Sequence, residues 1–353
     1  MAGELRVAMV APPWYELPPT GYGGIESVCA DLTDGLLAHG VDVTLIGVGT
    51  NGTGARFVRT FAQPQHHRLG DTMPDALHAA ALPSILATLD VDLVHDHSFL
   101  GPLIAARRPI PTLVTAHGPV DGEMGRYYYA LGSALDLVAI SRSQRSSAPW
   151  LNWAGVVHNA VRVRDFPFRA DKSDFALFLG RMSPDKGLVT AIAAATCAGM
   201  DLVVAAKASE AAERQYFEDE IRPRLGSGVH WVGEADRAAK RTLLSNASCL
   251  LFPIAWDEPF GMVMIEALAC GTPVVALRRG SVPEVVRHGV TGWVCDDEAQ
   301  LPEALLRAGE LDPAACRADV LARFDVDRMA REYLQVYHRL VERPAGRRPV
   351  ASA

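Results

Sequence analysis

The sequence has no paired cysteines, no excess of positive charge and no unbroken apolar run long enough to cross a bilayer. Six cysteines (Cys29, Cys197, Cys249, Cys270, Cys295 and Cys316) are scattered without a C-x-x-C pair. Most lie in apolar contexts and read as reduced core residues of a cytoplasmic protein. A net charge of −7 argues against nucleic acid as the main partner, because phosphate backbones need a basic face. The opening "MAGELRVAMVAPPW" lacks a charged region followed by a long apolar run, so no signal peptide is expected. The longest apolar stretch, "LVTAIAAATCAGMDLVVAAKA", is broken by Gly199 and Asp201 into helix, turn and strand, and no transmembrane segment is expected. Low-complexity segments and short-period repeats are also missing.

What is present is a chain of 353 residues, 49% hydrophobic and 21% charged. That profile suits two globular domains of ordinary size. Short apolar runs alternate with helical patterns throughout. In the first half they are "LRVAMVA", "DVTLIGV", "DLVHDH", "TLVTAHG", "LDLVAIS" and "GVVHN", with amphipathic stretches at Ile25–His39 and Pro74–Leu89. In the second half they are "FALFLG", "DLVVAAK", "VHWVG", "CLLFPIA", "PVVAL" and "GWVCD". Near-continuous apolar strands between helices indicate parallel sheets covered on both faces, hence an α/β fold of two doubly wound, Rossmann-like domains. The charged segment Ala160–Asp174 is the linker candidate. A periodic helix at Val326–Val341 carries Met329, Tyr333, Val336, Tyr337 and Leu340 on one stripe. The closing "ERPAGRRPVASA" reads as a frayed tail.

Ligands of open α/β sheets bind beyond the carboxyl ends of strands, and unusual residues gather there. In "PPTGYGGIESV", Gly21, Gly23 and Gly24 precede a helix whose N–H groups favour phosphate. The spacing is not G-x-G-x-x-G, and no acid ends the second strand, so a dinucleotide fold is disfavoured. In "FLGRMSPDKGL", Arg181 and Lys186 supply two cations where a diphosphate fits; the bland alternative is solvated loop charge. In "DEPFGMVMIEALACGTPVV", Glu258 lies in a turn and Glu266 on the helix that follows. At ~1.5 Å per residue the two carboxylates address points roughly 10 Å apart, the scale of a sugar at one end and a ribose at the other. Phe260, Gly261, Met262 and Val263 offer helix-start N–H groups. The competing reading makes Glu258 a dipole-complementing acid and Glu266 a surface residue, which leaves the interruption of "MVMI-ALA" unexplained. His117, ending "TLVTAH", suits either a sugar hydroxyl or a structural role. The acids of Asp90–Asp92 and Asp325–Asp327 read as structural. In "HDH" only His95 and His97 share a strand face, and a metal there is disfavoured.

Together these stretches resemble the retaining GT-B glycosyltransferases of family 4. "GYGGIE", "LGRMSPDKG" and "EPFGMVMIEALACGTPVVALRRGSVPEVVRHGVTGWV" match that family's pattern in order and spacing, the last being its E-x7-E signature. The resemblance implies two Rossmann-like domains facing across a cleft: residues 1–165 on the acceptor side, 166–325 binding the donor, a returning helix at 326–343, and a flexible tail at 344–353. It also implies that Arg181 and Lys186 bind the donor diphosphate and Glu266 the ribose. Glu258 would hold the transferred sugar with the N–H groups of Phe260, Gly261 and Met262. Gly23 and Gly24 would approach the phosphates, and His117 would face the sugar.

The implied chemistry is retaining hexosyl transfer from a nucleoside-diphosphate sugar to a carbohydrate-type acceptor hydroxyl, without metal or other cofactor. Because no carboxylate pair suits double displacement, the leaving phosphate is expected to take the acceptor proton. Asp236 either reads a guanine edge or caps the helix Arg237–Asn246. The first reading leans to GDP-mannose over UDP-glucose. Tyr127, Tyr128 and Tyr129 offer stacking faces for an acceptor. The lack of a basic amphipathic helix disfavours a membrane-bound acceptor. Competing classes are a nucleotide-sugar epimerase, a phosphorylase, whose pyridoxal lysine has no candidate here, and a sugar-nucleotide-binding protein without turnover.

Overall fold

Buried apolar runs of β-branched and aliphatic residues form the two sheets. The computed structural model describes residues 5–343 apart from Tyr22 and Pro109, and the side chains of Ala106 and Arg107. The expected tail at 344–353 and the tyrosine of the Gly-rich loop therefore lie outside the described residues. The chain divides into two units, one running to Ala160 and resuming at Val326, the other spanning Val161–Asp325. The break falls at the start of the charged segment Ala160–Asp174.

In the first unit the strands are β1 (Arg6–Val10), β2 (Asp42–Val48), β3 (Arg56–Phe61), β4 (Leu93–Asp96), β5 (Thr112–Ala116), β6 (Asp136–Ala139) and β7 (Trp153–Val156). They form a seven-stranded sheet in the order β3-β2-β1-β4-β5-β6-β7, with parallel pairing throughout. Six strands were expected. The extra one, β3, reads "RFVRTF" and is half-exposed along its length, because it lies at the sheet edge and never forms the continuous apolar run that marks a buried parallel strand. β7 begins earlier than "GVVHN" suggests, at Trp153, whose indole N–H donates to the Ala148 carbonyl.

The helix Val326–Val341 belongs to this first unit. It buries Met329, Tyr333, Val336, Tyr337 and Leu340, and it lies on the helix Gly24–Ala38. Gly35 permits that approach: a Cβ there would stand 3.0 Å from both Ala330 Cβ and Val326 Cγ1. The two tyrosine hydroxyls are not wasted in the core. Tyr337 bonds His95 Nδ1 at 2.7 Å, and Tyr333 bonds Thr115 Oγ1 at 2.8 Å, which satisfies polar groups that burial would otherwise leave costly.

The second unit carries β8 (Phe175–Arg181), β9 (Asp201–Lys207), β10 (Val229–Trp231), β11 (Cys249–Phe252), β12 (Val274–Leu277) and β13 (Gly292–Cys295). Their order is β10-β9-β8-β11-β12-β13, again all parallel. Each expected strand of this half is present. One continuous cluster of Leu, Val, Ile and Ala side chains, with Phe178 and Phe217, fills the space beside this sheet. Among the described residues no helix is long and apolar enough to cross a membrane. All six cysteines are free; five are buried, and Cys197 is exposed.

Candidate active site

Both sheets reverse their strand order, and ligands of open α/β sheets bind at such reversal points. In the second unit the chain leaves β8 toward β9 and β10, then returns to place β11 on the other side of β8. The loops leaving β8 and β11 therefore open at a topological switch point. Arg181 ends β8, Lys186 follows in the turn Pro184–Lys186, and Glu258 comes from the loop after β11.

Local backbone demands hold these groups together. Gly187 has φ +74°, and a Cβ on it would lie 1.9 Å from the Pro253 carbonyl oxygen. Only glycine lets the Lys186 turn press against the end of β11. The Ala255 N–H then donates to the Asp185 carbonyl at 2.9 Å. Lys186 Nζ lies 2.6 Å from Glu258 Oε2 and 5.0 Å from the centre of the Trp256 ring. On the far side, Gly280 sits against the backbone of Glu258, where a Cβ would come within 2.4 Å of its carbonyl oxygen. Ser281 N–H donates to that same carbonyl at 3.0 Å, and Ser281 Oγ donates to the Phe260 carbonyl at 2.8 Å. Lys186 and Glu258 are thus fixed, with side chains 15% and 14% exposed. Arg181, at 39%, is freer and lies 3.8 Å from Asp185.

The helix Met262–Ala269 starts at Gly261, which is left-handed at φ +78°. Met262 and Val263 open the first turn, where N–H groups precede the intrahelical ladder. The Phe260 side chain is buried and meets Phe324 edge-on at 5.9 Å. Glu266, four residues into the helix, pairs with Lys240 Nζ at 2.6 Å. A carboxylate offers about four lone-pair sites, so each glutamate keeps acceptor capacity beside its lysine.

Sequence reasoning missed Lys240, Trp256, Gly280 and Ser281. Lys240 is 26 residues from its partner, and no local pattern joins them. Asp236 takes the capping role: its Oδ1 accepts from the Ala239 N–H at 2.8 Å and starts the helix Arg237–Asn246. Of the two roles the sequence offers Asp236, the structure shows the cap, and no contact described here bears on the guanine-reading one.

In the first unit the order reverses between β1 and β4. Gly23 and Gly24 follow β1 and open the helix Gly24–Ala38; Gly23 has φ +138° and packs against Pro19. Glu26, in the first turn, is buried; burial raises its pKa to about 7 against the smaller opposing pull of its own and the Tyr15 backbone N–H groups. His97 leaves β4 and His117 leaves β5, and their rings meet with His97 Nδ1 2.8 Å from His117 Nε2. Burial pushes His117 down to about 4 and His97 well below its ordinary value. A metal shared by His95 and His97 is not what this geometry serves, because Tyr337 and Thr115 occupy both nitrogens of His95. The acids of Asp90–Asp92 are structural too: Arg6 binds both Asp90 and Asp92.

Comparison with known proteins identifies the family. Residues 162–315 match the family described as glycosyl transferases group 1, and residues 22–163 match glycosyltransferase family 4. The chain is 33% identical over 345 residues to the α-maltose-1-phosphate synthase of Mycolicibacterium smegmatis, covering 85% of this chain and 87% of that protein. The chain belongs to the family 4 glycosyltransferases. It is also 28% identical to the glycogen synthase of Mycobacterium tuberculosis, over 94% of each chain. Among solved structures it superimposes on AviGT4, a glycosyltransferase involved in avilamycin A biosynthesis, with a TM-score of 0.73 and 27% identity over 96% of this chain and 98% of that one. The family 4 chain described here is therefore a GT-B hexosyltransferase that moves sugar from a nucleotide sugar.

Proposed function

We propose that this glycosyltransferase transfers a glucosyl group, with retention of configuration and without a metal, from a nucleoside-diphosphate sugar to a hydroxyl of a carbohydrate-type acceptor. The observation that carries the proposal is the Arg181, Lys186 and Glu258 constellation at the switch point of the six-stranded sheet. Two cations there stand in for a divalent ion by neutralising the departing diphosphate with preorganised charge. Glu258, oriented by Lys186, accepts from hydroxyls of the transferred sugar, and Glu266, oriented by Lys240, accepts from the ribose. The helix start at Met262 adds N–H groups toward negative charge. In the first unit, the Gly23–Gly24 helix start contacts phosphate and His117 meets a sugar hydroxyl.

The acceptor oxygen attacks the anomeric carbon from the face that the diphosphate leaves, and the bond to the leaving phosphate oxygen breaks. That oxygen takes the acceptor proton. A double displacement would need a nucleophilic carboxylate beside the anomeric carbon, whereas this reading gives Glu258 to the sugar hydroxyls and Glu266 to the ribose. The glucosyl choice, in place of the mannosyl donor to which Asp236 had pointed, follows the relatives' names, since glycogen and maltose 1-phosphate are both built of glucose. Epimerase and binding-protein readings are not favoured by any contact described above.

The test is a donor screen with product analysis, using the wild-type chain and Arg181→Ala. Loss of one preorganised donor is expected to lower the transfer rate by about 10²–10³, with wild-type activity unchanged in EDTA. Undiminished transfer by the variant, or a strict Mg²⁺ requirement, would remove the assignment. Titration with UDP, ADP and GDP identifies the base.

A further inference from the structure

The His97–His117 pair has a direction, and Met9 sets it. His97 Nε2 lies 3.1 Å from Met9 Sδ, while His97 Nδ1 lies 2.8 Å from His117 Nε2. A thioether sulfur only accepts hydrogen bonds, and a neutral imidazole has one donor nitrogen and one acceptor nitrogen. The proton of His97 therefore sits on Nε2, facing sulfur. Its Nδ1 is left as the acceptor, so the His117 proton sits on Nε2 and is donated to His97. His117 Nδ1, which has no hydrogen-bond partner among the described residues, carries a lone pair.

We propose that Met9 and His97 are positioning residues that lock His117 in the Nε2–H tautomer, so that its outward nitrogen accepts, rather than donates, a hydrogen bond from a ligand hydroxyl. Both rings are neutral, as the chain of donors requires, because burial and the neighbouring imidazoles disfavour the charged forms. The ring planes are also held. His95, fixed at both nitrogens by Tyr337 and Thr115, lies against His97 with centroids 4.0 Å apart, and His97 stacks on His117 at 5.1 Å. An imidazole used this way discriminates. It rewards a group that brings a proton, such as a hydroxyl, and gives nothing to one that only accepts, such as a fluorine at the same position.

That the hydroxyl belongs to a sugar rests on the glycosyl-transfer reading; the tautomer does not. Long-range proton–nitrogen NMR of the ¹⁵N-labelled full chain, without any sugar, reads the tautomer directly. The expected result is Nε2–H for both His97 and His117. Met9→Leu conserves volume and removes the sulfur acceptor, so it is expected to shift His117 measurably toward the Nδ1–H form. A wild-type His117 protonated on Nδ1, or a Met9→Leu spectrum with unchanged tautomers, overturns the proposal. With a sugar nucleotide, Met9→Leu should lower kcat/KM by roughly tenfold, the worth of one hydrogen bond. A deoxyfluoro donor should lose its penalty in the variant. Tautomers as expected with no effect on transfer would count against the sugar reading of His117 and leave the relay standing.

Discussion

Replacing Glu26 by Gln should make the first unit more stable, and by an amount that grows with pH. Glu26 sits buried in the first turn of the helix Gly24–Ala38, where its own and the Tyr15 backbone N–H groups favour the charged form and burial opposes it. Desolvation outweighs that backbone pull and raises its pKa from 4.5 to about 7. The folded state thus holds the proton more tightly than the unfolded chain does. Its advantage is complete below pH 4.5, where Glu26 is protonated in both states, and drains away as pH rises through about 7. At about 1.4 kcal/mol per pH unit, that interval corresponds to about 3 kcal/mol, as an upper bound. Gln carries no charge at any of these pH values. The difference in stability between Glu26→Gln and wild type should therefore rise by up to about 3 kcal/mol between roughly pH 4.5 and 8.5. Taking the difference cancels other titrating groups, including His78, whose burial lowers its pKa to about 4. Amide hydrogen exchange within the helix Gly24–Ala38 reports this unit alone. A stability difference that stays flat with pH would show that Glu26 ionises without strain, and the desolvation argument would fail.

Other outcomes test the donor half. Glu266→Gln should weaken binding of the free nucleoside diphosphate by about 1.5–3 kcal/mol, the range for a hydrogen bond to a charged group, or roughly ten- to a hundredfold in Kd; calorimetric titration with an unchanged Kd would refute a ribose contact. Gly187→Ala should destabilise the second unit by more than about 1–2 kcal/mol, the left-handed backbone cost alone, because its Cβ also meets the Pro253 carbonyl at 1.9 Å. The same variant should depress transfer by displacing Lys186, and a variant of wild-type stability and rate, measured by denaturation and initial-rate assay, would break the link between that glycine and the site.

Much of the fold was legible because buried parallel strands announce themselves. β11 and β12 are fully buried, and such strands read as unbroken apolar runs whatever their partners. β3 escaped because an edge strand is only partly covered, so "RFVRTF" mixes charges with apolar residues, buries none of them fully and resembles a loop. The site divided along a similar line. Arg181, Lys186, Glu258 and Glu266 stand out as charges at strand ends or inside an apolar helix, an anomaly visible one residue at a time. Lys240, Trp256, Gly280 and Ser281 carry no such mark, since each matters only through what the fold sets beside it.

Asp236 is the case where the sequence allows two roles. An acid after a strand invites a ligand role, yet an acid immediately before a helix has a nearer partner in the first-turn N–H groups, here that of Ala239. Local satisfaction comes first because it needs no ligand to be present. Glu258, before the helix Met262–Ala269, and Glu266, within it, answer differently, since neither side chain caps that helix. Both instead turn to lysines brought from other elements, Lys186 after β8 and Lys240 from the helix Arg237–Asn246. A carboxylate held by a distant cation is oriented without being used up, because one oxygen anchors it while the rest of its acceptor capacity remains for a hydroxyl. That distinction, between an acid that starts its own helix and an acid that a neighbour aims, separates the capping residue from the two proposed to grip the donor.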